Sequence, residues 1–428
     1  MTPVSAPSRS VRRAAATAPG LGLALAALIG PPLSVFAAAG MAPLLALLAL
    51  ALIAGDGRTS LAAARSCPPI PALLVLISAW GAMSALWSPI PAHTLLESGR
   101  FLLISAAGLL ALKHAAALDA LESARLDRVL IAGVIAAILL LQIELHGDET
   151  VARYMLGVPE ARLAAAGIGR YDRGVTVLML LAWPAAAALA TRRRWLGLAL
   201  LAAAIGATVG EFSSRAAIIA LAIGAAAAAV AAAAPRLAAL GLVGAVVLAA
   251  CVFPAAAPDG AGINRIRAAA PSLPDSAVHR LEIWRFVAER IADRPILGWG
   301  MDASRAVPGG KSRVIDLYPE VTMNDRAEAL PLHPHDAALQ WRLELGLPGT
   351  ALVLAALAVA LWRLARDHAG APWRRALSFG YAAAALAVAL LSFGAWQAWW
   401  LSTLWLGAAL LARPDSDPRR RAGVACAP

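Results

Sequence analysis

The run GLGLALAALIGPPLSVFAAAGMAPLLALLALALIA fills residues 20–54 without one charged side chain. At ~1.5 Å of rise per residue it would make a single helix of roughly 50 Å, whereas the ~30 Å hydrocarbon core of a bilayer is crossed by about 20 residues. One pass does not accommodate it. Two are predicted, parted near Pro31 and Pro32, where the missing amide donors favour a hairpin.

Comparable apolar segments follow at residues 70–87, 98–112, 129–145, 174–190, 195–211, 216–234, 237–254, 348–362, 376–393 and 395–412, with polar or basic breaks between them. The expected fold is therefore an all-α polytopic membrane protein of about twelve transmembrane helices. Its predicted organisation is a basic N-terminal tail (1–19), nine spans (20–254), a large polar loop (255–347), three further spans (348–412) and a tail (413–428). Composition agrees: 60% of the residues are hydrophobic and 15% charged, with a mean hydropathy of +0.71, which excludes a water-soluble single domain. The basic start with its apolar run reads as an uncleaved first span, because further spans follow and no polar mature domain does.

With twelve crossings both termini share one side. Placing that side inside puts 20 of the 37 Lys and Arg on inner loops and tails, among them Arg192, Arg193 and Arg194, and six on short outer loops and helix ends. The positive-inside rule then makes both termini cytoplasmic and the long loop external. The net charge of +11 is spread between apolar blocks and forms no basic stripe, so nucleic acid is not an expected partner. Cys67, Cys251 and Cys426 are far apart and show neither a disulfide framework nor a zinc spacing.

Residues 255–347 hold most of the outward polar groups. Val278, Leu281, Trp284, Val287 or Ala288, and Ile291 recur every three or four residues, which predicts an amphipathic helix capped by Asp275 or Ser276 and stopped at Pro295. Glu282, Arg285 and Glu289 fall on its other face, as solvated residues do. Arg280 borders the apolar stripe, where it serves either a structural ion pair or an anion. A second helix is predicted after His335, with Asp336 as N-cap and Gly346 just past its end. His335 is the natural general-base candidate, since imidazole exchanges a proton near neutrality, although a histidine capping a turn has the same sequence. His333 stands two residues earlier, but two imidazoles do not hold a metal, and no ligand spacing is present.

Arg215 ends the string Gly210-Glu211-Phe212-Ser213-Ser214-Arg215 at the outer edge of a span. It either pairs with Glu211 or grips a lipid-attached phosphate with its guanidinium fork. Arg173 has the same placement and a ready partner in Asp172. Gly206 and Gly210 have the spacing of close helix packing. Asp415-Ser416-Asp417 reads as a solvated tail, and Gly309-Gly310-Lys311-Ser312 lacks the first glycine of a phosphate-binding loop.

The string Leu332-His333-Pro334-His335-Asp336-Ala337-Ala338-Leu339-Gln340, continuing to Glu344-Leu345-Gly346-Leu347-Pro348-Gly349, resembles the signature of the bacterial O-antigen ligase and polymerase superfamily. So do Arg280-Leu281-Glu282-Ile283-Trp284, Arg294-Pro295-Ile296-Leu297-Gly298-Trp299-Gly300, Ser213-Ser214-Arg215, Arg173-Gly174 and Trp87-Ser88-Pro89. The resemblance implies a multi-pass enzyme of the bacterial inner membrane with a periplasmic active loop. It implies a metal-independent, inverting glycosyltransferase that takes a glycan from undecaprenyl pyrophosphate, with no cofactor. The acceptor is then a sugar hydroxyl of lipid A core, or a growing glycan in the polymerase branch. By the same resemblance His335 is the essential histidine, and Arg215 and Arg280 are the key arginines, with Arg173 also on the pyrophosphate and His333 and Asp336 in support. Relatives usually have asparagine where this chain has Asp336. A polysaccharide transporter or flippase rests on the number of spans alone.

Overall fold

The computed structural model describes residues 17–55, 69–212, 214–318, 321, 326–367 and 372–414. Asp415-Ser416-Asp417, Ser213, Cys67, Cys426 and the tail residues Arg9, Arg12, Arg13, Arg419, Arg420 and Arg421 lie outside them. The described residues form helices and no β-strand beyond one isolated bridge between Arg313 and Glu328. The protein is an all-α membrane protein. Among the described residues, eight helical stretches are long and apolar enough to cross a bilayer, with Gly20–Gly55 counted as one, and three shorter apolar helices accompany them: Ile70–Leu86, Trp195–Glu211 and Ala398–Ala412.

The first apolar run does not bend where proline predicts. Helix α1 (Thr17–Ala37) runs through Pro31 and Pro32, and the chain turns at Ala38–Gly40 before α2 (Met41–Gly55). Gly30 faces Met41 and Leu44, while Gly22 faces Leu48 and Ala51, so the two helices do pack as an antiparallel hairpin. Each proline deprives the carbonyl four residues earlier of its donor. Those carbonyls, on Ala27 and Leu28, lie against Gly133, where any Cβ would come within 2.7 Å of both oxygens. A glycine backbone thus covers the two freed acceptors and the helix continues.

The other main helices are α3 (Ile70–Met83), α4 (Pro91–Ala116), α5 (Ala120–His146), α6 (Asp172–Thr191), α7 (Trp195–Glu211), α8 (Arg215–Ala233), α9 (Pro235–Val247), α10 (Gly260–Ala269), α11 (Asp275–Asp293), α12 (Ala337–Arg366), α13 (Pro372–Leu391) and α14 (Ala398–Ala412). Helix α6 is the axis of the bundle. It is buried on every face from Gly174 to Ala185, as expected of a helix that is apolar all round.

Contacts sort the helix ends into two sets. At one end Asp127 of α5 accepts from Arg192 (3.1 Å) just after α6 and from the buried Arg413 after α14. The other end gathers Gly174 against Ser34, Tyr171 against Glu144, Gln142 against Glu211, and Met301 against Ser98. The long polar segment emerges at this second end, and its helix α11 packs there, with Trp284 edge-on to Phe253 at 5.5 Å. Its apolar stripe is buried as predicted, at Val278, Val287 and Ile291.

Three local expectations need correction. Pro274 precedes α11 and no side chain caps it, so neither Asp275 nor Ser276 has that role. Glu282 is not solvated: it is fully buried, with Arg285 3.7 Å away. Gly206 and Gly210 meet no neighbouring atom within 4 Å of an added Cβ, so the pair marks no close helix packing among the described residues.

Candidate functional site

Helix α12 begins as the sequence predicts. The Asp336 carboxylate accepts from the Leu339 amide at 3.0 Å. The helix breaks at Gly346, whose φ of +61° is readily adopted only by glycine. The backbone of Ile296–Gly300 crosses this break closely. An added Cβ at Gly346 would lie 1.9 Å from the Ile296 carbonyl oxygen, and one at Gly298 2.5 Å from that of Glu344. Trp299 N–H and Gly300 N–H then donate to the Leu343 and Glu344 carbonyls. The conjunction of Gly298-Trp299-Gly300 with Glu344-Leu345-Gly346 is therefore a backbone-on-backbone joint.

His335 stands just before α12 in a left-handed conformation, with φ +58°, an uncommon setting for a side-chain-bearing residue. Its backbone N–H donates to His333 Nδ1 at 3.2 Å, and its Nδ1–H donates to the Ser392 carbonyl at 2.6 Å. A carbonyl only accepts, so the proton belongs on Nδ1 and the Nε2 lone pair is left for chemistry. Burial holds the His335 imidazole below its usual range, opposed by the Ser392 hydrogen bond and reinforced by Arg280 and His279. His333 packs against it with ring centroids 4.4 Å apart. Burial, then the charges of His335, Arg305, Arg173 and Arg280, push His333 down to about 3. Both imidazoles are neutral at physiological pH. Asp336 moves the other way, with burial raising its carboxyl to about 6 against the helix amides that stabilise its charge.

Arg280 is half-buried on α11, and the loss of water lowers its guanidinium's pKa, countered by the charge of Asp172. Asp172 in turn takes a hydrogen bond from the Ser214 hydroxyl, which places the first residue of α8, Arg215, beside the group. Arg215 is exposed and makes no ion pair with Glu211, which is held instead by Gln142 at 2.7 Å. Arg173 does not use Asp172 either; its guanidinium sits 5.7 Å over the Trp399 ring. The sequence-nominated residues His335, His333, Arg280 and Arg173 thus share one electrostatic neighbourhood, and Arg215 borders it through Ser214.

Two features had no nomination. The first is Glu344, fully buried, whose carboxylate accepts from Asp302 N–H (2.8 Å), Ser304 N–H (3.2 Å) and hydroxyl, Gln340 Nε2 (3.1 Å) and Trp396 Nε1 (2.6 Å). It ties the 302–304 loop and the 395–397 turn to α12. The second is His93, Glu97 and Asp302, whose ligand atoms lie within 4.8 Å of one another. Arg305 donates to Asp302 at 2.8 Å and Arg100 pairs with Glu97, so two guanidiniums already balance the two carboxylates. Neither feature has a contiguous motif: the Glu344 group is gathered from separate segments between residues 302 and 396, and His93 meets Asp302 across 209 residues.

Residues 211–354 match a family model described as O-antigen ligase. That interval includes Arg215, Arg280, His333, His335 and Asp336, and leaves out Arg173. The chain is 38% identical over 143 residues to a protein of Rickettsia prowazekii, a match that spans 33% of this chain and only 34% of the relative's length. It is 28% identical over 298 residues to one of Rickettsia conorii, 68% of each chain. With one of Rickettsia typhi it shares 29% over 297 residues, 68% of this chain and 69% of that one. All three relatives are named as candidate polysaccharide ligases. No solved structure matches the chain.

Proposed function

We propose that the chain, whose residues 211–354 match the O-antigen ligase family, transfers a glycan from undecaprenyl pyrophosphate to a sugar hydroxyl of lipid A core at the periplasmic face of the inner membrane. The acceptor oxygen attacks the anomeric carbon as the bond from that carbon to the diphosphate breaks. The anomeric centre inverts, and the hydroxyl proton passes to His335 Nε2. Undecaprenyl diphosphate leaves without a general acid, because the negative charge that develops on it is met by Arg280 and Arg215, with Arg173 at the edge over Trp399. His333 accepts the His335 backbone N–H and packs against its ring, and Asp336 holds the helix start. These guanidiniums supply the charge that a divalent cation would supply, which makes the reaction metal-independent in this reading.

The observation that carries the reading is the Nδ1–H bond from His335 to Ser392, which leaves a basic nitrogen in an arginine-rich, half-buried setting at the membrane surface. Support for the orientation comes from the end opposite the site, where Arg192 and Arg413 cluster on Asp127. The test is surface glycolipid from a deletion strain carrying wild-type or His335→Ala protein. Loss of polymer from the core with long lipid-linked glycan accumulating supports a ligase. Cores bearing single repeat units would assign the polymerase branch instead, and wild-type glycolipid from His335→Ala would remove His335 as the base.

A further inference from the structure

Resting on the transfer reaction above, we propose that Arg305, Asp302 and His93 form the subsite that receives the acceptor sugar. The cluster differs in kind from the group around Arg280. Two carboxylates, Glu97 and Asp302, stand with two guanidiniums, Arg100 and Arg305, and a histidine, so the formal charge is zero with His93 neutral. A diphosphate brought here would meet two carboxylates at once. A sugar ring is different: it is neutral and its vicinal hydroxyls each donate and accept, and alternating carboxylates and guanidiniums match that pattern.

The cluster presents free hydrogen-bonding capacity outward. Arg305 is 42% exposed at its side chain and donates through one nitrogen to Asp302 Oδ2 at 2.8 Å, its other N–H groups meeting no partner among the described residues. His93 is 30% exposed and uses Nε2 on the same carboxylate at 2.8 Å, which leaves Nδ1. Asp302 itself stands at φ +54°, its backbone N–H donating to the Glu344 carboxylate.

The placement relative to His335 is fixed by shared anchorage. The loop that carries Asp302 and Arg305 is bonded to Glu344 on α12, and His335 leads into the same helix. The turn that bonds His335 at Ser392 is fastened to that helix by Ala395 N–H on Gln340 (2.8 Å) and by Trp396 on Glu344. Arg305 lies close enough to His333 for its charge to bear on that imidazole. An acceptor held at Arg305 therefore approaches His335 from the side of His333, which the anchored turn also touches through Gln397, with the donor's diphosphate at Arg280.

The test uses full-length protein in detergent, the lipid-linked glycan as donor, and polymer-free lipid A core from the deletion strain as acceptor probe. Arg305→Ala and His93→Gln should each raise the acceptor KM about tenfold and leave the donor KM within twofold, with Arg305→Lys partly restoring the acceptor KM. An unchanged acceptor KM, or a rise in the donor KM instead, overturns the subsite. A magnesium or manganese requirement that Asp302→Asn abolishes also overturns it, in favour of a cation site. If wild-type protein transfers nothing, the transfer reading has failed. The subsite is then judged by direct binding of the same probe, which Arg305→Ala should weaken about tenfold and which no difference would refute.

Discussion

Replacement of Glu344 by glutamine keeps the shape of the side chain and exchanges one acceptor oxygen for a donor, in a place where every partner donates. Gln340 turns its amide nitrogen toward Glu344 because its oxygen is taken by the Ala395 amide. One carboxylate oxygen holds Asp302 N–H and Trp396 Nε1–H, and the other holds both Ser304 groups and Gln340. Whichever way the glutamine amide turns, its NH2 opposes at least two donors. Two lost hydrogen bonds to a charged acceptor, at about 1.5–3 kcal/mol each, give a destabilisation of about 3–6 kcal/mol. With an unfolding entropy of ~2.1 cal/mol/K per residue over the whole chain, that is a fall of about 3–7 °C in Tm. Tryptophan fluorescence on heating the detergent-solubilised protein reads the shift. Transfer should fall about tenfold or more, since the released turn carries Ser392 and Gln397. A glutamine variant with wild-type Tm and wild-type transfer would refute the reasoning, because it would mean that Glu344 is no ionised hub.

Three further outcomes follow from the site. Arg215→Lys should lower transfer about tenfold or more, because an ammonium does not reproduce the planar fork; an unchanged rate assigns Arg215 to structure. The acid limb of the pH–rate profile should lie below pH 6.5, since burial lowers the pKa of His335 and the base acts when neutral. Rates measured from pH 5 to 8 check this, and an inflection above pH 7 contradicts it. Asp336→Asn should stabilise the protein by about 1–3 kcal/mol at pH 8 and by about half as much at pH 5, because the penalty accumulates between the unfolded-state pKa of about 4 and the folded-state one. The folded-state pKa of Asp336 is raised to about 6, so its ionisation penalises the folded state as pH rises through that window, and asparagine caps equally well. Equal Tm gains at both pH values would contradict the assignment.

The apolar helices were legible because a bilayer leaves the backbone few alternatives, so composition and length alone reveal them. The proline pair misled for a reason no local rule contains. The acceptors freed at Ala27 and Leu28 are covered by Gly133, about a hundred residues on. Arg280 and His335 were legible by charge type and position at the edges of apolar elements. Glu282 was misplaced because helical spacing predicts a face and says nothing of what a second layer puts on it; in the structure it is buried beside Arg285. Glu344 and the His93–Asp302 pair were out of reach, since their partners come from α4, the 302–305 loop and the 395–397 turn, and their meaning exists only after folding.

The Ser392 carbonyl that accepts the hydrogen bond from His335 Nδ1–H lies just past the end of α13, a helix that runs the depth of the bundle, while the imidazole belongs to the entrance of α12. A relative slip of about 1 Å between those two rods would stretch the 2.6 Å bond past the limit of hydrogen bonding. The ring could then exchange its tautomer and spin. In the proposed reaction, bilayer thickness and lateral pressure, which set how deep membrane rods ride against one another, would thereby become mechanical inputs to the proton transfer at His335.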